Sequence, residues 1–120
     1  MAHTDLGTRK AEVPAAARDG FESLFDGFLS KLQAEREHLV KLSAELALSE
    51  ENPESIFADL RYRAHRLRGG AAIFEVPDVA AAASEMEEAA VSASLSHAPH
   101  TDSKVWNALL TLVRVIGNRQ

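Results

Sequence analysis

Ala64-His65-Arg66-Leu67-Arg68-Gly69-Gly70-Ala71-Ala72 continues, in both directions, a helical spacing of apolar residues: Ile56, Leu60, Ala64, Leu67, Ala71 and Phe74. An α-helix turns by about 100° per residue. With His65 as the zero direction, Ile56, Leu60, Leu67, Ala71 and Phe74 fall roughly between 180° and 240°. The apolar stripe therefore faces away from the histidine. Within about 60° of His65 lie Arg61, Arg68, Gly69 and Ala72. One outward imidazole thus has a guanidinium a turn before it, another a turn after it, and almost no side chain above it.

The same periodicity extends outward from this stretch. Phe21, Leu24, Phe25, Phe28, Leu32, Leu39, Leu42 and Leu46 predict a long first helix over about residues 19–48. Pro14 can open a short extra N-terminal turn through Ala15-Ala16-Ala17. The helix that carries His65 starts with Asn52 as a cap, Pro53 in the first turn and Glu54 at the positive end of the helix dipole, and lasts to about Phe74. A third helix follows from Pro77 to about Leu95. Its stripe of Val76, Val79, Ala83, Met86 and Ala90 is small enough for close packing, and Ser84, Glu85, Glu87 and Glu88 are expected to face away. Thr101 or Asp102 can cap a last helix with Val105, Leu109, Leu112 and Ile116 inward and Gly117 near its end. Four amphipathic helices on short loops predict an all-α, antiparallel up-down four-helix bundle over residues 14–118, preceded by a flexible arm over 1–13.

Composition narrows the function. The 120 residues suit one core, and aromatic residues are only 6% of the chain, which favours helices over a sheet. There is no cysteine, so thiolate metal sites and disulfides are excluded. A net charge of −5 argues against a nucleic-acid partner, and Arg61, Arg63, Arg66 and Arg68 scatter around their helix rather than lining one face. No apolar run has the roughly 20 residues that span a bilayer, and the N-terminus has no signal-peptide pattern, so no membrane is expected and a cytoplasmic location is the default. His97 and His100 bracket a loop without a third donor, so no metal site is expected.

A neutral imidazole is a nitrogen nucleophile that can carry a phosphoryl group as a phosphoramidate. Phosphoryl transfer depends mainly on positioning and electrostatic stabilisation. Arg68, on the next turn of the same face, can reach an oxygen of a group carried on His65, and Arg61 can approach from the other side. Gly69 leaves the ring open to a docking protein, which gives the helix-weakening Gly69-Gly70 pair a function. The competing reading is a solvated histidine between ordinary surface charges, in a helical adaptor that docks a partner without phosphoryl transfer.

Ala64-His65-x-Leu67-Arg68-Gly69-Gly70 resembles the motif of histidine-containing phosphotransfer (HPt) domains, A-H-x-L-K-G-[SA]. The resemblance extends to the helices on both sides and covers most of the chain. It implies a four-helix bundle whose exposed histidine, here His65, takes a phosphoryl group from an aspartate of a response-regulator receiver domain and passes it to another. Arg68 takes the place of the family's basic residue, with the charge kept and the geometry changed, and Gly69 that of its small residue. The implied partners are receiver domains and a hybrid sensor histidine kinase. No cofactor of its own is implied, since magnesium belongs to the receiver, and a monomer is expected. The docking surface should surround His65 and include Ala72 and Leu39. The chain departs from the pattern at Gly70, at Arg63 in a usually apolar position, and at Glu75 where many members have glycine. The dimerising domain of a sensor kinase fits less well. That family has an acidic residue after its histidine and a proline four residues on, where this chain has Arg66 and Gly69.

Overall fold

The computed structural model describes residues 15–49 and 52–119. Four helices follow in order: α1 (Ala15–Ala47), α2 (Glu54–Ile73), α3 (Pro77–Leu95) and α4 (Ser103–Gly117). The described residues contain no strand. Ala15-Ala16-Ala17 are the first turn of α1 rather than a separate element. Alanine's high helix propensity lets the long helix start there. The expected arm over 1–13 lies outside the described residues.

The chain divides into two compact units, Met1–Ser30 and Lys31–Gln120. The described part of the first is helical, with Phe21 and Leu24 exposed and Phe25, Phe28 and Leu29 half-buried. The second holds the remainder of α1 with α2, α3 and α4.

Within this second unit, polar ties join the helices in a closed ring. Arg63 of α2 donates to Glu35 of α1 at 2.9 Å. His65 of α2 meets Glu87 of α3 at 2.9 Å. Arg119, just past α4, pairs with Asp78 at the start of α3 at 2.9 Å. Arg36 Nε of α1 donates to the Val113 carbonyl of α4 at 3.2 Å. Going up α2 from Glu54 to His65 goes down α3 from His97 to Glu87, since His97 Nδ1 lies 2.8 Å from Glu54. The two helices are therefore antiparallel, as the short loops require.

The core inside this ring is wholly apolar among the described residues. Leu32, Leu39, Leu42 and Leu46 come from α1, and Phe57, Leu60, Ala64, Leu67 and Ala71 from α2. Val79, Met86 and four alanines come from α3, and Val105, Leu109, Leu112 and Ile116 from α4. One position differs from the periodic reading. Phe57 is fully buried, whereas Ile56 and Phe74, assigned to the stripe, are only half-buried. The buried direction of α2 is thus rotated toward Phe57. Ala64 and Ala71 of α2 meet a helix whose inner face, beside Val79 and Met86, carries Ala82, Ala83, Ala90 and Ala93. Side chains this small let the α2 and α3 axes approach closely.

The ends of these helices are specified locally. The Asp102 side chain caps α4, accepting from Val105 N–H at 3.0 Å; at α2 the N-cap is Pro53 rather than the expected Asn52, whose side chain accepts from Glu54 N–H at 3.0 Å from one residue further out. At the other end of α2, Val76 N–H donates to Ala71 O at 2.8 Å and Glu75 N–H to Ala72 O at 3.3 Å. This is a Schellman closure, and it places Glu75 at φ 54°, where a Cβ is unfavourable. His97 closes α3 in the same way at φ 53°. Glu75→Gly should therefore raise stability by about 1 kcal/mol. The urea midpoint should rise with the slope unchanged, and an unchanged or lower midpoint would refute the strain argument. His97→Gly should gain less, because it also removes the contact with Glu54.

Candidate functional site

His65 projects from α2 with its side chain 62% exposed. Close packing of α2 on α3 brings Glu87 to it. Glu87 Oε2 lies 2.9 Å from His65 Nδ1, and Glu87 Oε1 lies 3.1 Å from Arg68 Nε. The carboxylate is only 19% exposed, so it is fixed by two partners on the neighbouring helix. Arg68 Nη2 also lies 3.4 Å from His65 Nδ1.

These contacts settle the ring's tautomer. A guanidinium only donates and a carboxylate only accepts, so Nδ1 cannot satisfy both with one proton state. The carboxylate contact is much the shorter, so Nδ1–H donates to Glu87 and Arg68 acts on the ring as a neighbouring charge. In the neutral ring the lone pair then sits on Nε2. No hydrogen bond among the described residues reaches that nitrogen. The arrangement is an oriented imidazole on a side chain that is 62% exposed.

Not all of the expected site residues converge. Arg68 touches both Glu87 and the ring. Arg61 is exposed on the same face and forms no ion pair among the described residues. Gly69 and Ala72 are exposed, and a Cβ built on Gly69 meets nothing within 4 Å. Leu39, expected on the docking surface, is instead completely buried. The exposed apolar residues of the second unit include its neighbour Val40 and, on α2, Tyr62 and Ile73. Tyr62 lies under the Arg66 guanidinium, 5.6 Å from ring centroid to Cζ. A cation over an aromatic face is a favourable stacking contact.

Glu87 is the residue that sequence reasoning missed. The expectation that Ser84, Glu85, Glu87 and Glu88 all face away fails at this position. On the α3 wheel Glu87 lies about 40° from Ala83, at the edge of the apolar stripe, whereas Glu85 and Glu88 lie well outside it. That offset was the available signal. Which flank of α3 meets α2 is a tertiary fact, and periodicity does not contain it.

Arg63 separates cleanly from the site. Its guanidinium donates to both Glu35 oxygens, at 2.9 and 3.2 Å, and to Asp59 at 3.0 Å. The Glu35 hydrogen bond, above all, and the charge of both carboxylates raise its already high pKa. A position that is usually apolar in the motif here carries an ion pair linking α1 to α2.

A helical bundle that presents an oriented, open imidazole has the form of a histidine-bearing signalling module. The chain belongs to the Hpt domain family, whose model matches residues 24–115. No curated protein and no solved structure matches it. Hpt domains serve phosphotransfer in two-component signalling, and receiver domains and histidine kinases are their partner classes. Among the described residues no helix is long and apolar enough to cross a membrane. Nor do three His, Asp or Glu side chains among them form a group able to hold a metal ion.

Proposed function

We propose that this chain is a phosphorelay intermediate: His65 accepts a phosphoryl group from a receiver-domain aspartate and passes it to another receiver. The observation that carries this reading is the exposed imidazole whose Nδ1 is occupied by Glu87. In the accepting step Nε2 attacks phosphorus in line. The bond from phosphorus to the aspartate oxygen breaks, and its electron pair returns to the carboxylate. In this reading Arg68 offsets charge on the phosphoryl oxygens, with Arg61 as a second cation on the same face of α2. Gly69 and Ala72 keep the approach clear for the receiver. The domain needs no cofactor, and the magnesium ion belongs with the receiver aspartate. It works in the cytoplasm as a monomer, with a hybrid sensor kinase upstream.

The test is incubation with a phosphorylated receiver domain. Wild type should gain an acid-labile, alkali-stable label, and His65→Gln should gain none. Label persisting on His65→Gln would place the carrier elsewhere. No label on wild type across a broad panel of receivers would favour a docking adaptor without transfer.

A further inference from the structure

We propose that Arg66, braced on the Tyr62 ring, is a partner-selecting contact: it takes a carboxylate on the rim of a receiver's docking face and so favours receivers that carry one there. This inference rests on His65 being a phosphoryl carrier that receiver domains reach.

The arginines of α2 are held differently. Arg63 is paired with Glu35 and Asp59, at 2.9 and 3.0 Å. Arg68 is paired with Glu87 at 3.1 Å. Arg61 and Arg66 are exposed and form no ion pair among the described residues. Of these two, Arg66 has an aromatic brace, its Cζ 5.6 Å from the Tyr62 ring centroid. Tyr62 and Arg66 are four residues apart, a spacing at which side chains on a helix meet. The kind of brace matters. A carboxylate fixes a guanidinium and cancels its charge. An aromatic face fixes it through the ring quadrupole and leaves the charge uncancelled. Arg66 is therefore a cation that is held in place yet still lacks an acceptor for its N–H groups among the described residues. Holding it beforehand lowers the ordering cost of meeting a carboxylate.

Position gives this cation its partner. Around α2, with His65 at zero, Gly69, Tyr62, Ile73 and Arg66 lie at roughly +40°, +60°, +80° and +100°. Arg68, which carries the contact with Glu87 of α3, lies on the other flank at about −60°. A protein that reaches the ring across Gly69 therefore covers Tyr62 and Ile73, which are 60% and 70% exposed, and then meets Arg66. Apolar side chains beside the reacting group and a cation at the edge are the order of a protein interface. Tyrosine and arginine are also residue types that dominate binding energy at such surfaces. A carboxylate on the partner's rim is attracted here, and a lysine or arginine in the same place is repelled.

The experiment uses the full chain and the phosphorylated receiver domain that labels wild type fastest. Initial transfer rates are measured against receiver concentration at about 50 mM and about 500 mM salt, which differ about threefold in screening length. Arg66→Glu should act on KM, raising it about tenfold at the lower salt and less than about twofold at the higher. Arg66→Lys and Tyr62→Leu keep the charge but lose the planar fork or the brace, and each should raise KM about threefold. An unchanged KM for Arg66→Glu at low salt, a deficit as large at high salt, or one confined to kcat would overturn the proposal. Circular dichroism is the fold control. Labelling by potassium phosphoramidate, a donor with no docking face, checks the histidine itself. Phosphoramidate label that survives His65→Gln would instead overturn the carrier reading on which the proposal rests.

Discussion

Gly69→Trp should lower phosphoryl transfer from a receiver by on the order of a hundredfold while leaving the bundle folded. The glycine lies one turn after His65 on the exposed face of α2, and nothing stands within 4 Å of a Cβ built there. Its small size therefore serves no contact inside the chain. Glycine within a helix costs about 1 kcal/mol relative to alanine. Gly69→Ala should consequently stabilise the protein by about that amount, and its methyl group should impede a partner only slightly. An indole at the same place covers the approach to Nε2. In-line transfer tolerates little displacement, and a misplacement of about 1 Å can cost about a hundredfold. The two substitutions together separate stability from docking. Transfer should fall steeply only for the large residue, while urea midpoints for both should equal or exceed wild type. A Gly69→Trp protein that transfers at the wild-type rate would remove the clearance role. Loss of helicity in that variant would remove the steric explanation.

Much of this was legible in the chain because each signal was local. Asp102 as a cap, Pro77 in the first turn of α3 and the apolar spacing of α4 act within a few residues, and each element appears where they place it. α1 starts at Ala15, before the first residue of the apolar spacing, because alanine needs no apolar partner to be helical. His65, Arg68 and Gly69 share a face by helix geometry alone. Glu87 could not be placed that way, because its role depends on how α3 is turned against α2. Arg63 is similar: it fits the motif poorly until Glu35, from a helix remote in sequence, is brought to its guanidinium. The glycine expected at position 75 is the opposite case. A backbone requirement could be inferred from the pattern, and Glu75 meets it at φ 54° despite carrying a side chain.

Phe57→Ala should be the most destabilising of the substitutions considered. The ring is fully buried on α2, about 80° around the helix from His65. Removing a buried phenylalanine side chain costs about 3–5 kcal/mol, combining lost transfer energy with the cavity left behind. Against a total stability of about 5–15 kcal/mol for a domain, that is a large fraction. Taking about 4 °C per kcal/mol for a domain of this size, Tm should fall by about 12 °C or more. Ile56→Ala is the informative comparison, since Ile56 is only half-buried and should cost distinctly less. Equal losses at the two positions would mean that the buried direction of α2 lies between them. In Phe57→Ala any loss of phosphoryl transfer should track the unfolded fraction across temperature, because the site depends on α2 holding His65 against Glu87. In Gly69→Trp transfer should be lost at temperatures where the protein remains fully folded.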